Sequence, residues 1–323
     1  MRALICGIGG QDGAYLARDL LSKGYEVIGT SRDAFTTRFD NLTSLGIFSN
    51  VKTVSMAAHD FRSVFSVIRA YAPDEIYNLS GQSSVGLSFE QPVDTIESIA
   101  IATLNLLEAI RFEGRTIRFY NAGSGECFGN TLGDAASETT PFKPRSPYAV
   151  AKVTAHNLVE NYRESYGLFA CTGILFNHES PLRPARFVTQ KIVQAAARIA
   201  RGSTESLSLG NLDVSRDWGW APDYVDAMWR MLQQDEATDF VVATGRTESL
   251  HYFVQQVFAY FNLVWQEHAV SDAQLLRPAD ILLGKADPGK ARTILGWQAT
   301  KDIDGVIDSM CEHAARMERH RAS

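Results

Sequence analysis

Three glycines spaced three residues apart, Gly7, Gly10 and Gly13 in GIGGQDG, separate a short apolar segment (residues 2–6, RALIC) from a helical pattern over 14–23. In that pattern Tyr15, Leu16, Leu20 and Leu21 recur at helical spacing and Gly24 ends the run. Strand, glycine turn and helix in this order predict the entry to a βαβ unit. A backbone without side chains turns tightly there and brings its N–H groups up to a pyrophosphate at the helix N-terminus. The spacing is G-x-x-G-x-x-G, which a plain glycine turn also produces, so the strand–turn–helix context carries the dinucleotide reading.

The chain keeps that rhythm. Residues 25–30, 51–56, 74–79, 116–121 and 169–175 read as further strands, and 61–72, 92–111 and 147–166 as helices. Alternation of this kind predicts an α/β fold with a doubly wound parallel sheet of the Rossmann type. After residue 177 the rhythm breaks. A polar, proline-containing loop (177–186) leads into helices at 186–201, 222–234, 249–261 and 303–319, with a short strand at 239–243. Residues 1–177 are therefore expected to form the dinucleotide-binding domain with the catalytic residues, and 178–323 a smaller mixed α/β region, mostly for substrate, over the carboxyl edge of the sheet. A chain of 323 residues buries enough surface to need no crosslinks. Cys6, Cys127, Cys171 and Cys311 are scattered, with no metal or redox spacing. The net charge of −6 argues against a nucleic-acid partner, and no apolar run is long enough for a membrane span. With no signal peptide, the expected compartment is the cytoplasm.

Chemistry-bearing residues gather at the ends of the expected strands. Tyr148 and Lys152 in Pro147-Tyr-Ala-Val-Ala-Lys share one helix face at i, i+4. A free tyrosine has a pKa near 10, and an adjacent ammonium together with an oxidised nicotinamide favours the phenolate. Ser124, at the end of the fifth strand, can hydrogen-bond a substrate oxygen beside Tyr148. Asn78-Leu-Ser-Gly-Gln-Ser-Ser84 offers small polar residues against a dinucleotide. Arg32, at the end of the second strand where an acid would select NAD, favours a 2′-phosphate and hence NADP, with Arg38 a second clamp. Asp60 reads equally as an adenine acceptor or as the N-cap of the helix over 61–72.

The glycine turn, NLSGQSSV, the serine two residues before an acid, and SPYAVAK together resemble the extended short-chain dehydrogenase/reductase family over about residues 1–320. Five strings are more specific and look like the GDP-mannose 4,6-dehydratases within it: GQDGAYL, ETTPFKPRSPYAVAK, GILFNHESPLRPARFVTQKI, LGNLDVSRDWGWAPDYV and RPADILLGKADPGKARTILGW. The resemblance implies a catalytic set of Ser124, Glu126, Tyr148 and Lys152. Ser124 replaces the usual threonine and keeps the hydroxyl, and Ser84 stands where a histidine is common. It implies a tightly held NADP contacted by Gly7, Gly10, Gln11, Asp12, Gly13, Arg32, Asp60, Phe61, Leu79, Ser80 and Gln82, with Tyr148 and Lys152. It implies GDP-mannose held by Ser83, Asn177, Val188, Lys191, Arg216, Arg277 and Asp280, and dehydration to the 4-keto-6-deoxy sugar by internal hydride transfer.

The resemblance further implies a homotetramer or homodimer, with the helices over 92–111 and 147–166 meeting those of a second subunit and the 32–43 loop reaching a neighbour's cofactor. A sugar-nucleotide 4-epimerase or a reductase of the 4-keto product would share the fold, the cofactor and Tyr148 with Lys152 without needing Glu126, and a non-catalytic dinucleotide sensor would share the fold. His178 reads as a structural hydrogen-bonder ahead of a ligand, Trp218 and Trp220 as packing, and Glu179 has no role legible in the sequence.

Overall fold

The computed structural model describes residues 1–275 and 278–321. Strands β1 (Arg2–Cys6), β2 (Glu26–Ser31), β3 (Lys52–Ser55), β4 (Glu75–Asn78), β5 (Arg118–Ala122) and β6 (Ala170–Leu175) lie parallel in the order β6-β5-β4-β1-β2-β3. The connecting helices are α1 (Gln11–Ser22), α2 (Asp40–Ser44), α3 (Phe61–Tyr71), α4 (Val85–Glu90), α5 (Pro92–Ile96), α6 (Ala102–Glu113) and α7 (Pro147–Tyr166). Strand order reverses between β1 and β4, and ligands of open parallel sheets bind in the crevice outside the carboxyl ends of the strands at such a point.

Both sheet faces are covered, so the strands are apolar throughout rather than alternating. In β1, Ala3 and Ile5 pack with Tyr15, Leu16 and Leu20 of α1 on one face. Leu4 and Cys6 pack with Val64, Ile68, Leu106 and Ile110 on the other. Full burial of each such aliphatic side chain stabilises by about 1.5–3 kcal/mol. Helix α7 spans the expected residues because its signals are strong. The Ser146 hydroxyl accepts from Ala149 N at 3.1 Å, Pro147 fills the first position, and Gly167 (φ 65°) ends it in the left-handed region.

The second region holds β7 (Asn177–Glu179), β8 (Leu207–Leu209), β9 (Ser215–Trp220), β10 (Phe240–Val242), β11 (Thr247–Ser249) and β12 (Ala269–Ser271). Its helices are α8 (Val188–Ile199), α9 (Ala221–Leu232), α10 (Leu250–Tyr260), α11 (Gly289–Ile294) and α12 (Ile303–Arg321). Strands β11, β9 and β7 form one small sheet and β12 and β8 another, while α8, α10 and α12 share a core with Leu207, Leu209 and Trp218. The doubly wound sheet with a smaller mixed region is as expected.

Three details differ from the sequence reading. The helix over 92–111 is unbroken but not α-helical throughout: a π turn (Glu97–Ile101) lies between α5 and α6, and α4 precedes it. The extra residue of a π turn lets another group approach the helix, and here Gln82 N donates to Ser98 Oγ at 3.2 Å. The 177–186 segment is not all loop, because β7 pairs in parallel with β9. Nor does the chain leave the large sheet for good at residue 177. Strand β10 joins it beyond β6, and Tyr224, Met228 and Leu232 of α9 pack in the same core as α1. Asp239 fastens that seventh strand, accepting two bonds from Arg163 (3.1 and 2.8 Å) and one from Thr172 N (2.6 Å).

Candidate active site

The carboxyl ends of β1 and β4 make a cradle that only glycine fits. Gly7 has φ +83°, and a Cβ there would lie 2.8 Å from the Leu79 carbonyl oxygen. A Cβ on Gly13 would lie 2.5 Å from the Gly7 carbonyl oxygen, so α1 starts in direct contact with the strand end. Helix α1 begins at Gln11, three residues before the expected start, with Gly10 as an N-cap that lacks a capping side chain. The N–H groups of a first turn have no intrahelical acceptors, and Asp12 of this turn lines the cleft described below.

Gln11 and Asp12 belong to a buried network that ties this turn to β7. The His178 ring contacts Asp12 Oδ2 through Nε2 at 2.9 Å and the Phe176 carbonyl through Nδ1 at 2.7 Å. Gln11 donates to Asp12 Oδ1 at 3.0 Å and accepts from the Ser180 hydroxyl at 2.7 Å. The Phe176 carbonyl can only accept, so Nδ1 donates to it, and the Asp12 carboxylate at Nε2 favours the charged ring. Burial pulls its pKa down, but the charge and hydrogen bond of Asp12 outweigh burial and the net shift is upward. His178 is thus the hydrogen-bonding histidine expected, and it also stacks on Tyr224 at 4.5 Å.

Arg32 is exposed directly after β2, the strand next to β1. Arg38 is exposed and pairs with Asp40 at 3.7 Å. Asp60 is the N-cap of α3, accepting from Arg62 N at 3.0 Å, and Phe61 stacks on Phe65. Ser80 donates to Asn78 Oδ1 at 2.7 Å, and Gln82 donates to the Ser84 carbonyl at 2.7 Å. Ser84 itself caps α4.

A cleft of about 390 Å³ opens beside this cradle, and Asp12, Leu79, Ser80, Gln82 and Ser83 line it together with Ser124, Glu126, Tyr148 and Lys152. Ser124 and Glu126 come from the turn after β5, Tyr148 and Lys152 from the first turns of α7. Lys152 Nζ donates to the Ala122 carbonyl at 2.7 Å and lies 5.8 Å from the centre of the Tyr148 ring. Burial dominates both: it pulls the Lys152 ammonium down to about 8 and pushes the Tyr148 phenol well above its usual range. The Ser124 hydroxyl beside Tyr148 and the Arg183 guanidinium act the other way on the phenol. The Glu126 carboxylate points into the cleft, where Arg216 Nε stands 3.6 Å from its Oε1.

Asn177, Val188, Lys191, Arg216 and Asp280 line the same cleft, with Lys191 Nζ held on the Ser208 carbonyl at 2.7 Å. Arg277 lies outside the described residues. Trp218 is buried among the helices of the second region, and Trp220 lies under Lys301, both as packing. Two lining arginines escaped the sequence reading, Arg183 and Arg186. The signal was available: LRPAR puts two cations around a proline in a chain of net charge −6. Glu179, without a role in the sequence, is buried and fixes Arg183 (3.2 Å), while accepting from the Thr189 hydroxyl at 2.8 Å. Five cations, Lys152, Arg183, Arg186, Lys191 and Arg216, line the cleft together with four carboxylates, Asp12, Glu126, Glu179 and Asp280, so cations gather here although the protein is net negative.

Comparison with known proteins shows the family of this chain. A family model described as GDP-mannose 4,6 dehydratase matches residues 4–310. The chain is 46% identical over 320 residues to GDP-mannose 4,6 dehydratase 2 of Arabidopsis thaliana, covering 96% of this chain and 86% of that protein. It is 42% identical over 333 residues to the GDP-mannose 4,6 dehydratase of Homo sapiens, covering 95% and 90%. Among solved structures it is similar to the UDP-glucose 4-epimerase of Thermus thermophilus in complex with NAD, with a TM-score of 0.85, 25% identity, and coverage of 97% and 99%.

Proposed function

The chain belongs to the GDP-mannose 4,6-dehydratase family and is a hydro-lyase of nucleotide sugars, and from that premise we propose which of its residues carry the reaction and which dinucleotide serves it. The substrate is GDP-mannose, and the products are GDP-4-keto-6-deoxy-mannose and water. The observation that carries the reading is the convergence of Glu126 with Ser124, Tyr148 and Lys152 on one cleft. A phenol, a hydroxyl and an ammonium suffice to oxidise a sugar alcohol. The carboxylate beside them is what an elimination needs in addition.

The residues present fit an NAD(P) cofactor. Gly7 and Gly13 let the first turn of α1 pack directly against the strand ends, that turn supplies N–H groups suited to a pyrophosphate, and Lys152 stands fixed at the β5 end for the nicotinamide ribose. Arg32 at the exit of β2 supports NADP, because a guanidinium there complements a 2′-phosphate. When bound, the dinucleotide supplies a hydride acceptor that takes hydrogen from sugar carbon 4 and returns it at carbon 6. Tyr148 takes the proton of the 4-hydroxyl, with the Ser124 hydroxyl donating to the same oxygen. The resulting ketone acidifies the hydrogen on carbon 5. Glu126 removes that hydrogen as a proton and hands it to the 6-hydroxyl, which leaves as water, and the proton released from the 4-hydroxyl completes carbon 5. Asn177, Val188, Lys191, Arg216 and Asp280 hold the nucleotide diphosphate end, joined by Arg277. Arginine suits that task because its planar fork makes paired bonds to phosphate oxygens.

No helix among the described residues is long and apolar enough to cross a membrane. All four cysteines are free and buried, which supports a reducing, cytoplasmic setting. Val93, Ile101 and Val150 expose apolar side chains on α5, the π turn and α7. That face supports pairing of two subunits through these helices.

The test is incubation of the purified protein with GDP-mannose and no added NADPH. A 4-keto-6-deoxy nucleotide sugar is the expected product, and its absence with the dinucleotide bound overturns the reading.

A further inference from the structure

Glu126 and Arg216 face each other across the cleft with Nε to Oε1 at 3.6 Å, and both side chains are largely buried. Their backbones come from different regions. Glu126 sits in the turn after β5, and Arg216 on β9 of the small sheet. The guanidinium is fixed from behind, donating through Nη1 to the Ser215 carbonyl at 3.0 Å, with its stem against Gly284. One cation therefore faces a carboxylate in a cleft that Lys191 and Asp280 also line.

On the proposed reading, the same guanidinium binds the diphosphate of the substrate and the same carboxylate is the base that acts at carbon 5. We infer that Arg216 holds Glu126 until substrate binds, and that the arriving diphosphate competes for the guanidinium and frees the carboxylate to act as base. Arginine bonds to phosphate are short, charge-assisted and bidentate, and a diphosphate carries more charge than one carboxylate, so the exchange favours the ligand. The exchange releases the Glu126 side chain toward the sugar when substrate is in place and holds it on Arg216 otherwise. Arg216 thus both grips the nucleotide and positions the base.

Linkage makes this testable without turnover, because competition for one group is reciprocal. If Glu126 holds Arg216 against the diphosphate, removing the carboxylate's charge tightens diphosphate binding. The experiment is calorimetric titration of GDP into the NADP-saturated full chain as wild type, Glu126→Gln, Arg216→Gln and the double variant, with guanosine as the ligand lacking phosphates. Glu126→Gln is expected to bind GDP about 3–10-fold tighter and guanosine unchanged. In the Arg216→Gln background the same substitution is expected to change GDP affinity less than about twofold. That difference separates competition for one guanidinium from a general loss of negative charge.

Equal or weaker GDP binding by Glu126→Gln, or a gain that persists undiminished without Arg216, overturns the coupling while leaving the dehydratase reading intact. GDP that binds no variant overturns the nucleotide-sugar reading and the coupling with it. Should Glu126→Gln fail to fold, Glu126→Ala serves the same comparison.

Discussion

His178 Nε2 stands 2.9 Å from the Asp12 carboxylate, and this pair joins the strand after β6 to the first turn of α1. Burial raises the Asp12 pKa, but His178 outweighs it and the net shift is downward; on His178 burial lowers the pKa and Asp12 raises it on balance. The two directions agree on a charged pair. The histidine contribution is complete below its unfolded pKa of about 6.5 and fades as pH rises through the raised folded value. The aspartate contribution is present above about 3.9 and fades as pH falls through the lowered value. His178→Gln is therefore expected to lose most stability between about pH 4 and 6.5. The loss there should be about 2–3 kcal/mol, below that of a fully buried pair because Asp12 keeps its bond to Gln11. Denaturant unfolding at pH 5.5 and pH 9 checks this, and an equal loss at both values contradicts it.

Lys152 is an ammonium that burial makes unfavourable, pulled from 10.5 down to about 8. A lysine whose folded pKa is lowered destabilises the native state most below that value. The penalty is relieved as pH rises toward the unfolded one. The shift bounds the penalty at about 3 kcal/mol, and losing the bond to the Ala122 carbonyl offsets about 1 kcal/mol of any gain. Lys152→Met is expected to be inactive yet more stable by about 1–2 kcal/mol at pH 7, with the advantage shrinking above pH 9. A melting temperature lower than that of the wild type at pH 7 would count against it.

Glu126 and Tyr148 separate two steps. Removing a general acid or base typically slows turnover by about 10²–10⁴-fold, so both Glu126→Gln and Tyr148→Phe should fall by that order. They should stall at different points. With Glu126→Gln, the absorbance of reduced dinucleotide should appear once on adding GDP-mannose and persist, with no hydrogen exchange at carbon 5. With Tyr148→Phe no such absorbance should appear. Stalling at the same point would remove the division of labour.

Arg32, exposed at the end of β2, should set the dinucleotide preference. A bond to a charged group contributes about 1.5–3 kcal/mol, which corresponds to about 10–100-fold in affinity. Arg32→Glu is expected to weaken NADP by that factor and to improve NAD, measured by fluorescence titration of the stripped protein. An unchanged ratio would move the 2′-phosphate contact elsewhere.

Elements with strong local signals were legible from the residues alone. Helix α7 carries a serine cap, a proline and a terminal glycine within the chain itself, and its span came out as observed. Strand β7 did not read as a strand because Asn-His-Glu has no apolar pattern, and its register comes from Trp218–Trp220, some forty residues on. The π turn at 97–101 was hidden because one inserted residue leaves an apolar run looking helical. At the cleft, Tyr148, Lys152 and Ser124 stand out in the sequence because each lies at a strand or helix end with a reactive side chain, and all three line it. Arg183 was missed because an arginine in a polar loop looks solvated until Glu179, buried from elsewhere, is seen to hold it. Asp60 had two readings, and the cap is the one its hydrogen bond displays.

The placement of β10 also bears on how this protein comes off the ribosome. A nascent chain that has extruded only 177 residues has six strands and a naked flank on β6, whose amides wait for Phe240–Val242 to arrive. The dinucleotide half should therefore not survive as an excised fragment. Such a fragment would present an unpaired hydrophobic border and self-associate, whereas a fragment extended past residue 242 would have that border sealed.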